Sequence, residues 1–221
     1  MNQTTWTAVD DFISDTLIGS DPVQEETLRS NAAGELPAID VAPNQGKLLY
    51  LLAKICGAKR ILEIGTLGGY STIWLARALP PDGRLVTLEF SEKHAVVAKA
   101  NIARAGFAER VEIRVGPALD SLSELAGEGE EAFDLIFLDA DKPNNPNYLD
   151  WALRFSRPGT VILGDNVVRE GEIAAPSSTD DRVVGSRQLL EKMGTDPRLE
   201  ATAIQTVGSK GYDGFALGVV R

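Results

Sequence analysis

Two short stretches place oxygen ligands where an apolar run breaks into polar residues. Leu138-Asp139-Ala140-Asp141-Lys142 closes the apolar run 133–138, and Leu163-Gly164-Asp165-Asn166-Val167 closes the run 160–163. Such a break marks the carboxyl end of a buried parallel strand, which is where open α/β sheets bind ligands. Asp139, Asp165 and Asn166 can therefore converge on one hard cation. All three offer oxygen and none offers thiolate or imidazole, which favours magnesium or a related divalent ion such as manganese or calcium. Lys142 stands beside them as a candidate base. Taken singly, Asp139, Asp165 and Asn166 also read as helix caps or turn residues; their meeting at adjacent strand ends argues for the cation.

A second candidate site opens where the strand pattern 60–64 turns through Gly65-Thr66-Leu67-Gly68-Gly69-Tyr70-Ser71 into a helix. Glycines at such a turn let the backbone approach a ligand closely. Leu67 stands where the fingerprint G-x-G-x-x-G wants its second glycine, which argues against a nicotinamide dinucleotide. Glu89 ends the next strand, at the spacing from which an acid accepts hydrogen bonds from both hydroxyls of a ribose. Glu63 is an acid in an otherwise apolar central strand, a costly placement unless a cationic partner such as an amino or sulfonium group meets it. The remaining reactive types read as structural. His94, the only histidine, is expected at the surface at a helix start, and without a second histidine a zinc or imidazole centre is disfavoured. Cys56, the only cysteine, is expected to be a plain buried thiol. Trp6, Trp74 and Trp151 are expected in packing, whereas Tyr148, Tyr212 and Phe215 are candidates to face an aromatic ligand.

The elements that must position these residues follow from periodicity. Residues 7–18 and 22–33 read as short amphipathic helices, the second started by Asp21-Pro22, and 44–56 as a longer one. Strands at 60–64, 84–89, 111–115, 133–138 and 160–163 then alternate with helices at 70–79, 92–105, 118–126 and 147–155. That alternation predicts a parallel, doubly wound sheet. Residues 170–181, rich in Gly, Ser, Pro and acid, predict a mobile loop beside the cation site. A helix at 182–193 and strands at 201–207 and 215–220, joined through 208–214, predict an antiparallel hairpin closing one sheet edge. The 221 residues suit one α/β domain spanning 1–221, and the net charge of −10 disfavours a nucleic-acid surface and suits a small or neutral substrate. No apolar run approaches the ~18 residues that span a bilayer. With no targeting pattern at the amino terminus, a cytoplasmic location away from membranes is expected.

Together, Glu63-x-Gly65-x-x-x-Gly69-Tyr70-Ser71, Glu89, Asp139-x-x-Lys142 and Asp165-Asn166 resemble the metal-dependent O-methyltransferases that use S-adenosylmethionine, the group of the catechol and caffeoyl-coenzyme A O-methyltransferases. The resemblance runs from about Val41 to the carboxyl terminus and is weakest over 1–40 and 181–197. It implies a Rossmann-like, mostly parallel seven-stranded sheet, with 1–43 forming N-terminal helices and a lid over a core of 44–221, and a homodimer. It further implies Glu63 and Ser71 at the methionine part of the cofactor, lined by Val41 and Gly65. Thr66, Gly69, Tyr70 and Asp139 would also border the cofactor, with Glu89 at the ribose and Ala118 at the adenine. Asp139, Asp165 and Asn166 would be the metal ligands.

The chemistry so implied is coherent. Methyl transfer from a sulfonium to a phenol needs phenolate, which is scarce at neutral pH because a phenol titrates near about 10. Two adjacent hydroxyls chelating a divalent ion would stabilise the phenolate and align it. Lys142 would take the proton, provided that the cation and partial desolvation disfavour its ammonium form. Three rivals stand beside this reading: a tRNA hydroxyuridine methyltransferase, opposed by the negative charge; an NAD-dependent oxidoreductase, opposed by Leu67; and a non-catalytic homodimeric binding protein, which would hold cofactor without turnover.

Overall fold

A computed structural model describes residues 2–221. Three helices come first, α1 (Gln3–Leu17), α2 (Pro22–Ala33) and α3 (Pro43–Ile55). The start of α2 is set by Asp21, whose carboxylate accepts from Gln24 N while Pro22 takes the first helical position, where its missing N–H costs nothing. The chain then alternates through β1 (Arg60–Ile64), α4 (Tyr70–Ala78), β2 (Arg84–Glu89), α5 (Glu92–Arg104), β3 (Val111–Val115), α6 (Ala118–Gly127), β4 (Leu135–Leu138), α7 (Asn145–Arg154) and β5 (Val161–Asp165). It ends with α8 (Asp181–Thr195), β6 (Leu199–Gly208) and β7 (Gly211–Val220).

The strands make one seven-stranded sheet in the order β3-β2-β1-β4-β5-β7-β6. Neighbours among β1 to β5 run parallel, and β7 runs antiparallel to both β5 and β6. This is the Rossmann-like architecture expected of the chain. Alternate side chains of one strand enter opposite layers. Leu62, Ile64, Ile136, Leu138 and Ile162 pack with α6, α7 and α8 residues such as Leu122, Leu149 and Leu189. Ile61, Leu135, Phe137, Val161 and Leu163 pack on the other face against α3 and α4 residues such as Leu49 and Leu75. The strand order reverses between β1 and β4, so a crevice opens there at the carboxyl ends, carrying Gly65 on one side and Asp139 on the other.

Several boundaries differ from expectation for identifiable reasons. β4 starts at Leu135 rather than 133, because the Asp134 carboxylate turns back to accept from Lys59 N at 2.7 Å and Arg60 N at 2.9 Å. The hairpin connection is far shorter than seven residues: the ladder continues to the pair Gly208↔Gly211, leaving Ser209 and Lys210 as the turn. Gly214 reads as a loop residue yet lies in β7, where a Cβ would stand 2.3 Å from Ile204 O. Residues 170–181 are not wholly irregular, since a 3₁₀ segment (Arg169–Ala174) lies against the sheet and Ile173 packs on the core. Cys56 is half-buried rather than buried. No helix among the described residues is long and apolar enough to cross a membrane.

Helix α8 holds the turn that carries Lys142. A Cβ added at Gly185 would lie 2.1 Å from Lys142 O and 2.8 Å from Pro143 Cα, so the two backbones touch with no side chain between them. Gly185→Ala must push α8 away, and overpacking of this kind costs roughly 1–3 kcal/mol. Equilibrium unfolding in urea should show that loss. A variant as stable as the parent would mean that the α8 contact is dispensable.

Candidate active site

The crevice widens into a cavity of about 850 Å³. Val41, Gly65, Thr66, Tyr70, Ser71, Glu89, Ala118, Asp139 and Lys142 all line it, so nearly the whole expected cofactor set is brought together. Gly69 and Glu63 are not among its lining residues. Gly65 sits at φ +105°, and a Cβ on it would stand 2.1 Å from Asp139 O. Only glycine lets the ends of β1 and β4 meet this closely. Gly69, at φ +86°, caps α4 and shapes the turn from behind.

Glu89 closes one side of the cavity. Its Oε2 accepts from Thr66 N at 3.2 Å and Leu67 N at 2.7 Å, and its Oε1 accepts from Ser91 N at 3.0 Å. His94 Nδ1 stands 3.1 Å from Oε1, so the histidine expected at the surface instead lines the cavity and supports this acid. The chain doubles back here because Ser91 caps α5, a turn that brings residues five apart together.

Glu63 is fully buried in β1. Its partners among the described residues are hydroxyl donors, Ser71 Oγ at 2.6 Å, Thr72 Oγ1 at 2.5 Å and Thr87 Oγ1 at 2.7 Å. Thr87 stands directly across the β1–β2 ladder from Glu63, a pairing that only sheet register reveals. Burial raises the Glu63 carboxyl from 4.5 to about 7, against the pull of the three hydroxyls.

Asp139 and Asp165 end the neighbouring strands β4 and β5. Lys142, 7% exposed, donates from Nζ to Asp139 Oδ1 at 2.8 Å rather than to Asp141. Asp141 instead accepts from the Tyr148 hydroxyl and from Asn144 Nδ2. Asp165 accepts from Gln45 Nε2 on α3 at 2.7 Å and from Asn166 N at 2.8 Å. Burial, and then the charge of Asp139, raises the Asp165 carboxyl. Asn166 adopts φ +54°, which turns the chain sharply as β5 ends. Beyond it lies a second cavity of about 680 Å³, lined by Asp165, Asn166, Gln45, Ile13, Tyr212 and Phe215. Asn166 lines both cavities, while Asp139 lines only the first and Asp165 only the second. Among the described residues no three His, Cys, Asp or Glu side chains form a metal cluster, the proposed set having two carboxylates and one amide.

Two cavities that meet at a wall of oxygen donors suit group transfer between two bound molecules. A family model described as O-methyltransferase matches residues 16–217. The chain belongs to the O-methyltransferase family. A catechol O-methyltransferase of Mycobacterium tuberculosis is 56% identical over 96% of this chain and 95% of its own. Another catechol O-methyltransferase, from Niastella koreensis, is 51% identical over the full length of both. The structure of an O-methyltransferase from Bacillus cereus, solved in complex with SAH, superposes with a TM-score of 0.98 at 61% identity over all of both chains. Membership of this family sets aside the oxidoreductase reading.

In this O-methyltransferase the folded state holds the Glu63 proton more tightly than the unfolded chain, in which it titrates near 4.5. The resulting stabilisation is complete below that value and is lost as the pH rises through about 7. Asp165 shifts in the same direction. The urea midpoint of the metal-free protein should therefore fall between about pH 5 and pH 8. Glu63→Gln, which cannot ionise, should flatten part of that fall; an unaltered slope would show that Glu63 does not titrate in this range.

Proposed function

We propose that this O-methyltransferase moves a methyl group from S-adenosylmethionine to one hydroxyl of a vicinal dihydroxy aromatic compound, with a divalent cation held by Asp139, Asp165 and Asn166 and with Lys142 as the base. The observation that carries this reading is the shared wall: the three oxygen donors and Lys142 stand where the two cavities meet. The names of the relatives support it. Two are catechol O-methyltransferases, and the SAH of the Bacillus cereus structure is the cofactor after its methyl has left.

The donor set fits a hard divalent cation. Asp139 and Asp165 end adjacent strands, and the charge of Asp139 makes ionisation of the buried Asp165 unfavourable, so a cation held by both would relieve a repulsion that is present without it. When bound, such an ion supplies Lewis acidity toward a pair of adjacent hydroxyls. The protein's own groups do the rest. Gln45 Nε2 donates to one Asp165 oxygen and the Asn166 backbone N–H to the other, which fixes the carboxylate in place. Glu89, gathered by backbone N–H groups of the glycine turn, faces the ribose, and Val41 and Ser71 border the methionine part. Lys142 Nζ, held beside Asp139 Oδ1 at 2.8 Å, receives the phenolic proton.

Transfer of labelled methyl from S-adenosylmethionine should be measured over a panel of catechols, with chelator and with magnesium restored. Turnover confined to vicinal dihydroxy acceptors, abolished by chelator and recovered with magnesium, is the expected result. Full turnover after exhaustive chelation, or equal turnover with monohydroxy phenols, would overturn it.

Lys142→Ala should lower the turnover number by roughly 10² to 10⁴, the usual contribution of a positioned acid or base, with little change in cofactor affinity. Arginine should not rescue it, since a guanidinium does not release its proton at accessible pH. Catechols acidified by electron-withdrawing substituents should escape most of the loss. An equal loss with acidic and ordinary catechols would assign Lys142 to orientation instead.

A further inference from the structure

In the function proposed, the second cavity receives the acceptor, so its charged lining selects what the acceptor carries beyond its two hydroxyls. Three cations line it, Arg169, Arg182 and Lys210. Arg182 turns its guanidinium onto Asp180, Nε to Oδ1 at 3.1 Å and Nη2 to Oδ2 at 2.6 Å, and is thereby spent. Lys210 lies exposed in the hairpin turn, where water and salt screen its charge, and reaches only Ala38 O at 3.4 Å. The acids offer no better handle. Asp10 accepts from Asn44 Nδ2 at 2.8 Å and from Ser209 N at 2.7 Å, while Glu170 and Glu172 are exposed.

Arg169 differs from all of these. It comes three residues after Asn166, so its backbone lies at most about 10 Å from that oxygen donor. Arg169 and Glu170 follow one another at φ +54° and +56°, in the left-handed region that residues with a Cβ avoid. Asp213 holds this strained turn, its Oδ1 accepting from Val168 N and Arg169 N, each at 2.9 Å. The Arg169 side chain is 23% exposed, yet its Nε is buried without a partner. Its Nη1 stands 3.6 Å from Asp213 Oδ2, beyond hydrogen-bond reach. Asp213 thus balances the charge of the guanidinium and leaves its donors unused. A buried donor left unpaired costs free energy, which a ligand that pairs it would recover.

We infer that the acceptor is a catechol bearing a carboxylate, and that Arg169 receives this carboxylate in the second cavity. This rests on the reading of that cavity as the acceptor's. A guanidinium matches a carboxylate with two parallel charge-assisted N–H···O bonds, and the unpaired Nε with a neighbouring Nη forms one such fork. With the two hydroxyls held at the Asp165–Asn166 wall, the short span to Arg169 fits an acid attached to the ring directly or through a few atoms. A thioester of the same acid has lost that carboxylate, and any anionic groups of its carrier lie much farther from the ring. The free acid is therefore the substrate class, and Arg169 is a specificity determinant that leaves the reacting hydroxyl to Lys142.

Calorimetry on the protein saturated with S-adenosylhomocysteine and magnesium, in which no methyl can move, compares 3,4-dihydroxybenzoate with its uncharged amide. The unaltered protein should bind the acid more tightly by about tenfold or more, and Arg169→Gln should weaken the acid by roughly ten- to a hundredfold, the range for hydrogen bonds to a charged group. Affinity for the amide should not change. Arg169→Lys, which keeps the charge and loses the fork, should fall between the two, and it supplies the same comparison if the glutamine variant does not fold. Equal weakening of acid and amide would assign Arg169 to holding the turn after β5, and equal affinity of the unaltered protein for both would mean that the cavity does not read the charge. A loss of the acid's advantage in Lys210→Gln but not in Arg169→Gln would move recognition to the hairpin turn, and all three outcomes overturn the inference. Failure of the unaltered protein to bind either probe would instead refute the acceptor cavity itself.

Discussion

Everything at the carboxyl edge of this sheet depends on how closely two backbones approach. The turn after β1 lies against the carbonyl of Asp139, with room for a hydrogen and no more at Gly65. The ladder hydrogen bond from Asp139 N to Ile64 O, at 2.8 Å, locks the approach in register. One wall of the cofactor cavity and one ligand of the proposed cation are therefore parts of a single rigid unit. Distances that matter to methyl transfer are set by strand pairing rather than by loop conformation, which suits a reaction whose rate is sensitive to small misplacements.

The second theme is the handling of negative charge. Glu63, Asp139 and Asp165 lie within three adjacent strands, β1, β4 and β5, and two of the three are raised in proton affinity by burial. Each is stabilised differently: Glu63 by neutral hydroxyls, Asp139 by an ammonium, Asp165 by an amide and a backbone N–H. The differences divide the labour. A carboxylate already satisfied by hydroxyls organises the glycine turn from behind, while those with spare acceptor capacity face the two cavities.

Much of this was readable from residue order, and the gaps have a common cause. The five parallel strands announced themselves because buried strands are nearly unbroken apolar runs, and Asp139, Asp165 and Asn166 were found because polar residues ending such runs must lie on one sheet edge. What eluded the sequence were pairings across large separations. Thr87 reaches Glu63 through sheet register, Gln45 reaches Asp165 across 120 positions, and Asp40 enters the cavity from a segment without periodicity. His94 reads as a surface residue for a local reason, since a Ser-capped helix start usually points outward, and here it bends back onto the acid that ends the preceding strand. Gly214 reads by type as a turn residue, although its smallness serves a contact with Ile204.

The crowding around Glu89 has a kinetic side. A carboxylate has about four acceptor positions, and here three backbone N–H groups and a ring nitrogen of His94 already surround it. The three backbone groups are fixed by the turn, whereas the His94 contact comes from a side chain, which can change rotamer without disturbing that turn. Any hydroxyl that bonds to Glu89 must therefore exchange with a contact the protein already has, and that contact can form again when the hydroxyl leaves. The carboxylate is thus never left exposed and unsatisfied, and whatever leaves it is not held back by the want of another partner.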